Sequence, residues 1–278
     1  MDYTSIVQRG PDIVLTGIKN FVPAQVLDNG QCFRWQGDGG RYSGIAHGRR
    51  LVLSLTAVAM GDELIFEDVT QAEFEKVWKD YFDLGRDYGE LRLHYSADKT
   101  LAEAIAYSPG LRIMKQDPWE TLLTFILSQN SNIPRIKGMV TRLCECFGSV
   151  LPCGGFAFPT PEAIASAGDL SAIKSGYRAD YIMDAARRTA DGRLNLDELQ
   201  HRPTDDVRQL LMAVHGVGPK VADCVLLFGF GRIECFPLDV WMKRVMADYY
   251  PNGFAESLMD TAGIAQQFLF HFVRTKGK

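Results

Sequence analysis

The period of hydrophobic and polar positions changes near residue 96. Before it, apolar residues come in short runs (IVLTGI, CFRW, RYSGIAH, LVLSLTAVAM and ELIFED), several of them alternating with polar ones. Alternation marks a strand with one buried face, and Asn29-Gly30, Gly37-Asp38-Gly39-Gly40 and Gly61-Asp62 supply turns between the runs. Thr70-x-x-Glu73 reads as a capping box opening the helical run FEKVWKDYF. From residue 97 the spacing becomes helical. Asp117-Pro118-x-Glu120 starts one helix, Pro134 starts another that stops at Gly148, and Arg178 to Arg188 form a third. The pattern predicts an α+β chain: an antiparallel β domain over residues 1–96, then an all-helical domain over residues 97–278. No internal repeat or low-complexity tract interrupts it.

The most specific segment lies near residue 220, where LLMAVHGVGPKVADCVLLF precedes GRIECFPLDVWMKRV. Two apolar, helix-period runs flank the turn Gly216-Val217-Gly218, and Pro219 opens the second run, where its missing N–H costs nothing. The glycines permit a tight turn and bare N–H groups at a helix N-terminus, which suits an anion such as a phosphate. Lys220 sits in the first turn of that helix. The helix leads away by roughly 15 Å at ~1.5 Å per residue. The extended segment from Arg232 to Leu238 can cover roughly 23 Å at ~3.3 Å per residue, enough to return Asp239 as the cap of a helix starting at Val240. The positive end of the helix dipole favours a neutral, nucleophilic amine at Lys220, whereas Asp223, one turn on, pulls the other way. The plain alternative is a solvated lysine and an ordinary capping aspartate; the hairpin between them argues for chemistry beside a phosphate.

With 46% hydrophobic residues in 278, the chain can bury one large core or two modest ones. No apolar run is long enough for a membrane span, and MDYTSIVQRGPD has no signal or transit pattern. Cys32, Cys144, Cys146, Cys153, Cys224 and Cys235 show no paired metal spacing, so neither a metal nor a cofactor is expected and a reduced compartment fits. The net charge of −4 runs against a blanket nucleic-acid binder. Its distribution changes that picture. Residues 1–100 carry 11 basic and 15 acidic side chains, and residues 101–278 carry 19 of each. A local basic face from Arg112, Lys115, Arg135, Lys137, Arg178 and Lys243 is expected, with backbone N–H groups doing part of the phosphate binding.

The hairpin resembles the helix-hairpin-helix DNA glycosylases, in particular their 8-oxoguanine branch. LDNGQCFRW near residue 30, DYFDL at 80–84, GLRIMKQDPWETLLTFILSQNSNIPRIKGMVTRLCECFG at 110–148, SGYRADY at 175–181 and GIAQQFLF at 263–270 extend the resemblance in the family's order over most of the chain. It implies a bifunctional glycosylase and abasic-site lyase that flips 8-oxoguanine out of double-stranded DNA, preferring cytosine opposite. Such an enzyme needs no cofactor and acts as a monomer without a membrane, in the cytoplasm (nucleoid) of a prokaryote or the nucleus of a eukaryote.

By that resemblance Lys220 attacks the sugar and forms a Schiff base, and Asp239 stabilises positive charge on the sugar. The Gly30 carbonyl accepts the ring N–H that 8-oxoguanine has and guanine lacks. Gln266 reads the base's pairing edge, with Phe270 and Cys224 stacked on its two sides; Gln266 and Phe270, four apart, share one helix face. Asn130 fills the space left by the flipped base, Tyr177 is the wedge, and Arg135 and Arg178 hold the orphaned cytosine. His215, Gly216, Val217 and Gly218 form the phosphate-facing hairpin, His215 as a helix-end residue rather than a catalyst. Two departures stand out. Asn130-Ser131-Asn132 replaces a run of asparagines, and Trp241, which carries no charge, stands where relatives often place a phosphate-touching histidine. The competing readings are a helix-hairpin-helix glycosylase for other damaged or mispaired bases, which leaves Lys220 and Gly30 unexplained, and a non-catalytic DNA-binding protein that uses the hairpin only as a phosphate clamp.

Overall fold

Four of the runs become strands of a six-stranded antiparallel sheet in this computed structural model, which describes residues 1–38 and 40–276; Ser5–Arg9 lies outside the runs, and Trp35–Asp38 shares only Trp35 with CFRW. The strands are β1 (Ser5–Arg9), β2 (Asp12–Thr16), β3 (Trp35–Asp38), β4 (Arg41–Ala46), β5 (Arg49–Thr56) and β6 (Glu63–Glu67), in spatial order β1-β2-β6-β5-β4-β3. Register puts Leu15 opposite Leu64 and Leu53 opposite Phe66, so their side chains fall on one buried face. The run after Thr70 closes that face. Phe66 packs edge-on against Phe74 and Phe82, and Trp35 against Trp78 and Phe82. Thr70 caps this run by accepting from the Glu73 N–H, and the Glu73 carboxylate accepts from Trp78 Nε1 at 3.1 Å.

The helices, in chain order, are α1 (Pro23–Leu27), α2 (Gln71–Glu73), α3 (Lys79–Tyr81), α4 (Tyr88–Tyr95), α5 (Lys99–Tyr107), α6 (Pro118–Ser128), α7 (Ile133–Phe147), α8 (Pro161–Ala165), α9 (Arg178–Ala190), α10 (Leu196–Leu199), α11 (Thr204–Met212), α12 (Pro219–Phe228), α13 (Val240–Tyr249) and α14 (Ala262–Lys276). Asp117 caps α6 through the Glu120 N–H at 2.8 Å, and Gly148 ends α7. A π turn, Phe74–Trp78, separates α2 from α3. Helix α1 is not signalled by the sequence pattern: five residues are too few to show a period.

Contacts group the chain into two compact units. One comprises Met1–Gly44, Leu51–Lys115 and Ile233–Lys278; the other comprises Ile45–Arg50 and Gln116–Arg232. The division therefore does not follow the sequence boundary at 96/97. Helix α5 packs against α14, and α13 does likewise, and all three fall in the unit that holds most of the sheet. In the second unit, α12 packs on α6 and α11, and α8 on α9.

Arg112 corrects one expectation about the basic face. It is fully buried in the first unit, paired with Asp2 at 2.7 Å and stacked over the Tyr88 ring. Its donors also go to the main-chain oxygens of Asn20, Phe82, Asp83 and Arg86, which is how a buried guanidinium is satisfied. Among the described residues no helix is long and apolar enough to cross a membrane.

Candidate active site

The second unit holds the hairpin and Lys220. Gly216 has φ +79°, and a Cβ there would lie 2.2 Å from the Tyr181 ring, so both backbone conformation and packing demand glycine. Gly218 is different. It is the N-cap of α12 in an extended conformation, and a Cβ added to it meets nothing within 4 Å. No side chain caps α12, so the first-turn N–H groups beside this open face can take an anion. Val217 is buried and offers only main chain. The exposed His215 packs its ring on Tyr181, and its N–H donates to Asp184 at 2.8 Å.

Lys220 is half-buried, its ammonium 5.1 Å from the centre of the Phe125 ring, which stacks in turn on Phe228. The carboxylate of Asp223, one turn on from Lys220, is paired with an arginine. It accepts from Arg208 Nε at 2.8 Å, and burial pushes its pKa up against the pull of that arginine. Cys224, one turn beyond Lys220, is buried.

Gln129 links the hairpin to the expected DNA-contacting residues. Its Nε2 donates to the Gly216 carbonyl at 3.1 Å, and its own carbonyl accepts from Arg178 Nε at 2.9 Å. Asn130 follows in a left-handed conformation, φ +46°, with its amide donating to the Tyr177 hydroxyl at 3.2 Å. Tyr177 is about half exposed at 49%, whereas Arg178 is buried at 2% and lies under the Tyr177 ring. The Arg178 donors also reach the Ser175 and Asn130 carbonyls. Arg178 therefore leaves the expected basic face, because three main-chain carbonyls satisfy it. Arg135 remains exposed in the first turn of α7, with Asn132 capping that helix through the Arg135 N–H.

The first unit holds the remaining groups. Gly30, at φ +94°, follows α1 rather than joining two strands. The buried side chains on either side fix it. Asn29 donates to the Gln25 carbonyl at 2.8 Å, while Gln31 donates to the carbonyls of Val26 and Arg112 and accepts from the Met114 N–H. Asp239 caps α13 as expected, accepting from the Met242 N–H at 2.8 Å. Trp241 is exposed, with the Arg244 guanidinium over its ring, so a cation stands one turn from the position that lacks one.

Gln266 is buried in α14, and its Nε2 donates to the Pro237 carbonyl at 3.1 Å. A carbonyl can only accept, which fixes the amide's orientation and leaves Gln266 Oε1 buried without a hydrogen-bond partner. An orphaned acceptor of this kind costs about 1–3 kcal/mol unless a ligand donates to it. Phe270 lies one turn on, half-buried, with the Arg274 guanidinium 5.1 Å from its ring centre. The four-residue spacing of Gln266 and Phe270 continues to Arg274, a signal present in the sequence. Gln129 and Phe125 carry no such local signal, since their contacts to Gly216 and Lys220 are distant in sequence.

Two family models divide most of the chain between them. Residues 13–122 match the N-terminal domain of 8-oxoguanine DNA glycosylase, and residues 123–262 match the HhH-GPD superfamily base excision DNA repair proteins. The structure of MBOgg1 in complex with a low-affinity DNA ligand is 38% identical, with a TM-score of 0.90 over 100% of both chains. The Clostridium acetobutylicum 8-oxoguanine glycosylase/lyase, solved with double-stranded DNA containing cytosine opposite 8-oxoG, is 32% identical with the same TM-score and coverage. A probable N-glycosylase/DNA lyase of Methanothermobacter thermautotrophicus is 29% identical over 76% of this chain and 78% of its own length. The chain belongs to the HhH-GPD superfamily of base excision DNA repair proteins, in its 8-oxoguanine DNA glycosylase/lyase branch.

Proposed function

We propose that this DNA glycosylase/lyase flips 8-oxoguanine from duplex DNA and excises it through a Schiff base on Lys220, with preference for cytosine opposite. The orphaned Gln266 Oε1 carries the reading of the base. A guanine-type pairing edge presents a ring N–H and an amino group, the donors that this buried acceptor lacks. The Gly30 carbonyl, held by its buried neighbours, accepts the additional ring N–H of the oxidised base. Guanine would meet it with a lone pair.

In the reaction, the Lys220 amine attacks C1′ of the sugar while the glycosidic bond breaks and its electron pair leaves with the base, which takes up a proton. The C1′–O4′ bond then opens as O4′ takes up a proton, giving the protonated imine. Loss of a C2′ proton expels the 3′ phosphate and nicks the strand. The Asp239 carboxylate stabilises the positive charge that develops on the sugar. Tyr177 and Asn130 occupy the gap in the duplex, and the N–H groups beside Gly218 hold a phosphate. Arg135 presents donors to the orphaned cytosine; Arg178 does so only by leaving the carbonyls that bind it. The enzyme acts as a monomer wherever the DNA is, in the nucleoid of a prokaryote or in a nucleus.

Borohydride reduction on 8-oxoguanine duplex tests the chemistry. Wild-type protein should give a covalent adduct, and Lys220→Gln should bind the duplex yet give none. A passive phosphate clamp would give no adduct even in the wild type.

A further inference from the structure

Helix α14 carries Gln266, Phe270 and Arg274 at successive four-residue intervals, so one stripe presents all three. The third member reaches across to the loop that ends in Gly30. Arg274 Nη2 donates to the main-chain carbonyl of Asp28 at 3.2 Å, and the same guanidinium lies over the Phe270 ring, 5.1 Å from its centre. A planar guanidinium can do both at once, stacking with its face while donating in its plane. An ammonium is a point charge and cannot. The rest of the loop is tied elsewhere: Tyr42 donates to the Asp28 carboxylate at 2.5 Å, and Asn29 and Gln31 hold the turns on either side of Gly30. Arg274 thus joins the loop to the helix that bears the base-facing side chains. It is half-buried, with burial lowering its pKa against the opposing charges of Asp239 and Asp28.

We propose that Arg274 is a specificity-determining positioning residue, whose planar guanidinium sets the spacing between the Gly30 carbonyl and the Phe270 ring and so defines the slot for the oxidised base. This rests on the functional reading above, in which Gly30 and Phe270 contact the base. Arg274 itself touches no reacting atom. Two activities separate its role from general support of the fold or of Asp239. Excision of 8-oxoguanine needs the base slot, whereas Schiff-base trapping on a preformed abasic site has no base to place.

The experiment measures single-turnover excision of 8-oxoguanine and borohydride trapping on abasic duplex for wild type, Arg274→Lys and Arg274→Met. Both variants should lose about 10–100-fold in excision, the scale of a misplaced contact near reacting groups, and keep abasic trapping within about twofold. Arg274→Lys is the decisive variant because it keeps the charge that faces Asp239 and loses only the planar fork. Wild-type excision in Arg274→Lys would overturn the proposal, showing that charge alone matters. Parallel loss of both activities would overturn it in favour of a structural or electrostatic role. A wild type that traps on abasic DNA but leaves 8-oxoguanine untouched would overturn the functional reading and this inference with it, a result visible without any variant.

Discussion

The side-chain amide of Gln129 donates to the carbonyl of Gly216 at 3.1 Å, fastening the turn after α6 to the hairpin that precedes Lys220. The same residue's carbonyl holds Arg178, which lies under the exposed Tyr177 ring. One glutamine therefore couples the Gly216 turn to Arg178 and, through it, to the Tyr177 ring. Gln129→Ala removes the hairpin tie but keeps the carbonyl. A single neutral hydrogen bond contributes about 0.5–1.5 kcal/mol, so the melting temperature should fall by only a few degrees. On the proposed reading, in which the hairpin and Tyr177 meet the DNA together, affinity for lesion duplex should fall further, by about tenfold. Fluorescence anisotropy at fixed salt measures this, and unchanged affinity would show that the two elements bind independently.

The two hairpin glycines should fail in different assays. Gly216 needs its positive φ, and its missing side chain leaves room for the Tyr181 ring. Gly216→Ala should therefore lower thermal stability by about 1–3 kcal/mol whether DNA is present or not. At Gly218 the φ is −98° and nothing lies within 4 Å of an added Cβ. Gly218→Ala should melt like wild type yet bind duplex about 10–100-fold more weakly, as expected if a methyl group displaces a phosphate from charged hydrogen bonds of ~1.5–3 kcal/mol. Normal DNA affinity in Gly218→Ala would remove the phosphate from this helix end.

Local features were the legible ones. The apolar runs located β2, β4, β5 and β6 but neither β1 nor most of β3, the Gly-Val-Gly-Pro turn located α12, and an aspartate before an apolar run located the cap of α13. Four-residue spacing put Gln266 and Phe270 on one face. What escaped was set by partners far away in the chain. Charge counting placed Arg112 and Arg178 on a basic surface, but main-chain carbonyls of neighbouring loops take their donors and bury them. Asp223 lies one turn from Lys220, yet its carboxylate goes to Arg208 on the preceding helix. Arg274 meets Asp28 across a separation of 246 residues, and no local pattern encodes that contact. A buried arginine looks like a surface arginine until the carbonyls around it are known.

His271 should make the protein sensitive to acid. Burial, with Arg274 nearby, lowers its pKa to about 4, and its Nδ1 is buried without a hydrogen-bond partner. The folded state holds the neutral ring, while the unfolded chain takes up a proton near pH ~6.5. Its stabilising contribution is therefore complete above about pH 6.5 and is lost as pH falls towards about 4. Because the group is only partly buried, the loss is about 1–2 kcal/mol rather than the full value of the shift. His271→Phe, which keeps an aromatic ring against Tyr107, should melt at least as high as wild type at pH 7.5 and show a smaller drop at pH 5. Parallel melting curves at the two pH values would assign the acid sensitivity elsewhere.

The base opposite the lesion should matter through Arg135. This arginine is exposed at the start of α7, whereas Arg178 has its donors on the carbonyls of Gln129, Asn130 and Ser175. Cytosine offers a carbonyl and a ring-nitrogen acceptor on its pairing edge, both suited to a guanidinium; adenine offers one acceptor and an amino donor. A mismatched partner commonly costs ~1–3 kcal/mol, about one to two orders of magnitude if it is felt in the transition state. The wild-type rate should therefore be highest opposite cytosine and about 10–100-fold lower opposite adenine. Arg135→Ala should flatten that profile. Arg178→Ala should also lower binding opposite every base, since it releases Tyr177 and the turn at Gln129. If both arginines only meet phosphates, each substitution will weaken all four duplexes equally. Single-turnover excision opposite each of the four bases decides between these outcomes, and a flat wild-type profile would remove the role of Arg135 in reading the partner base.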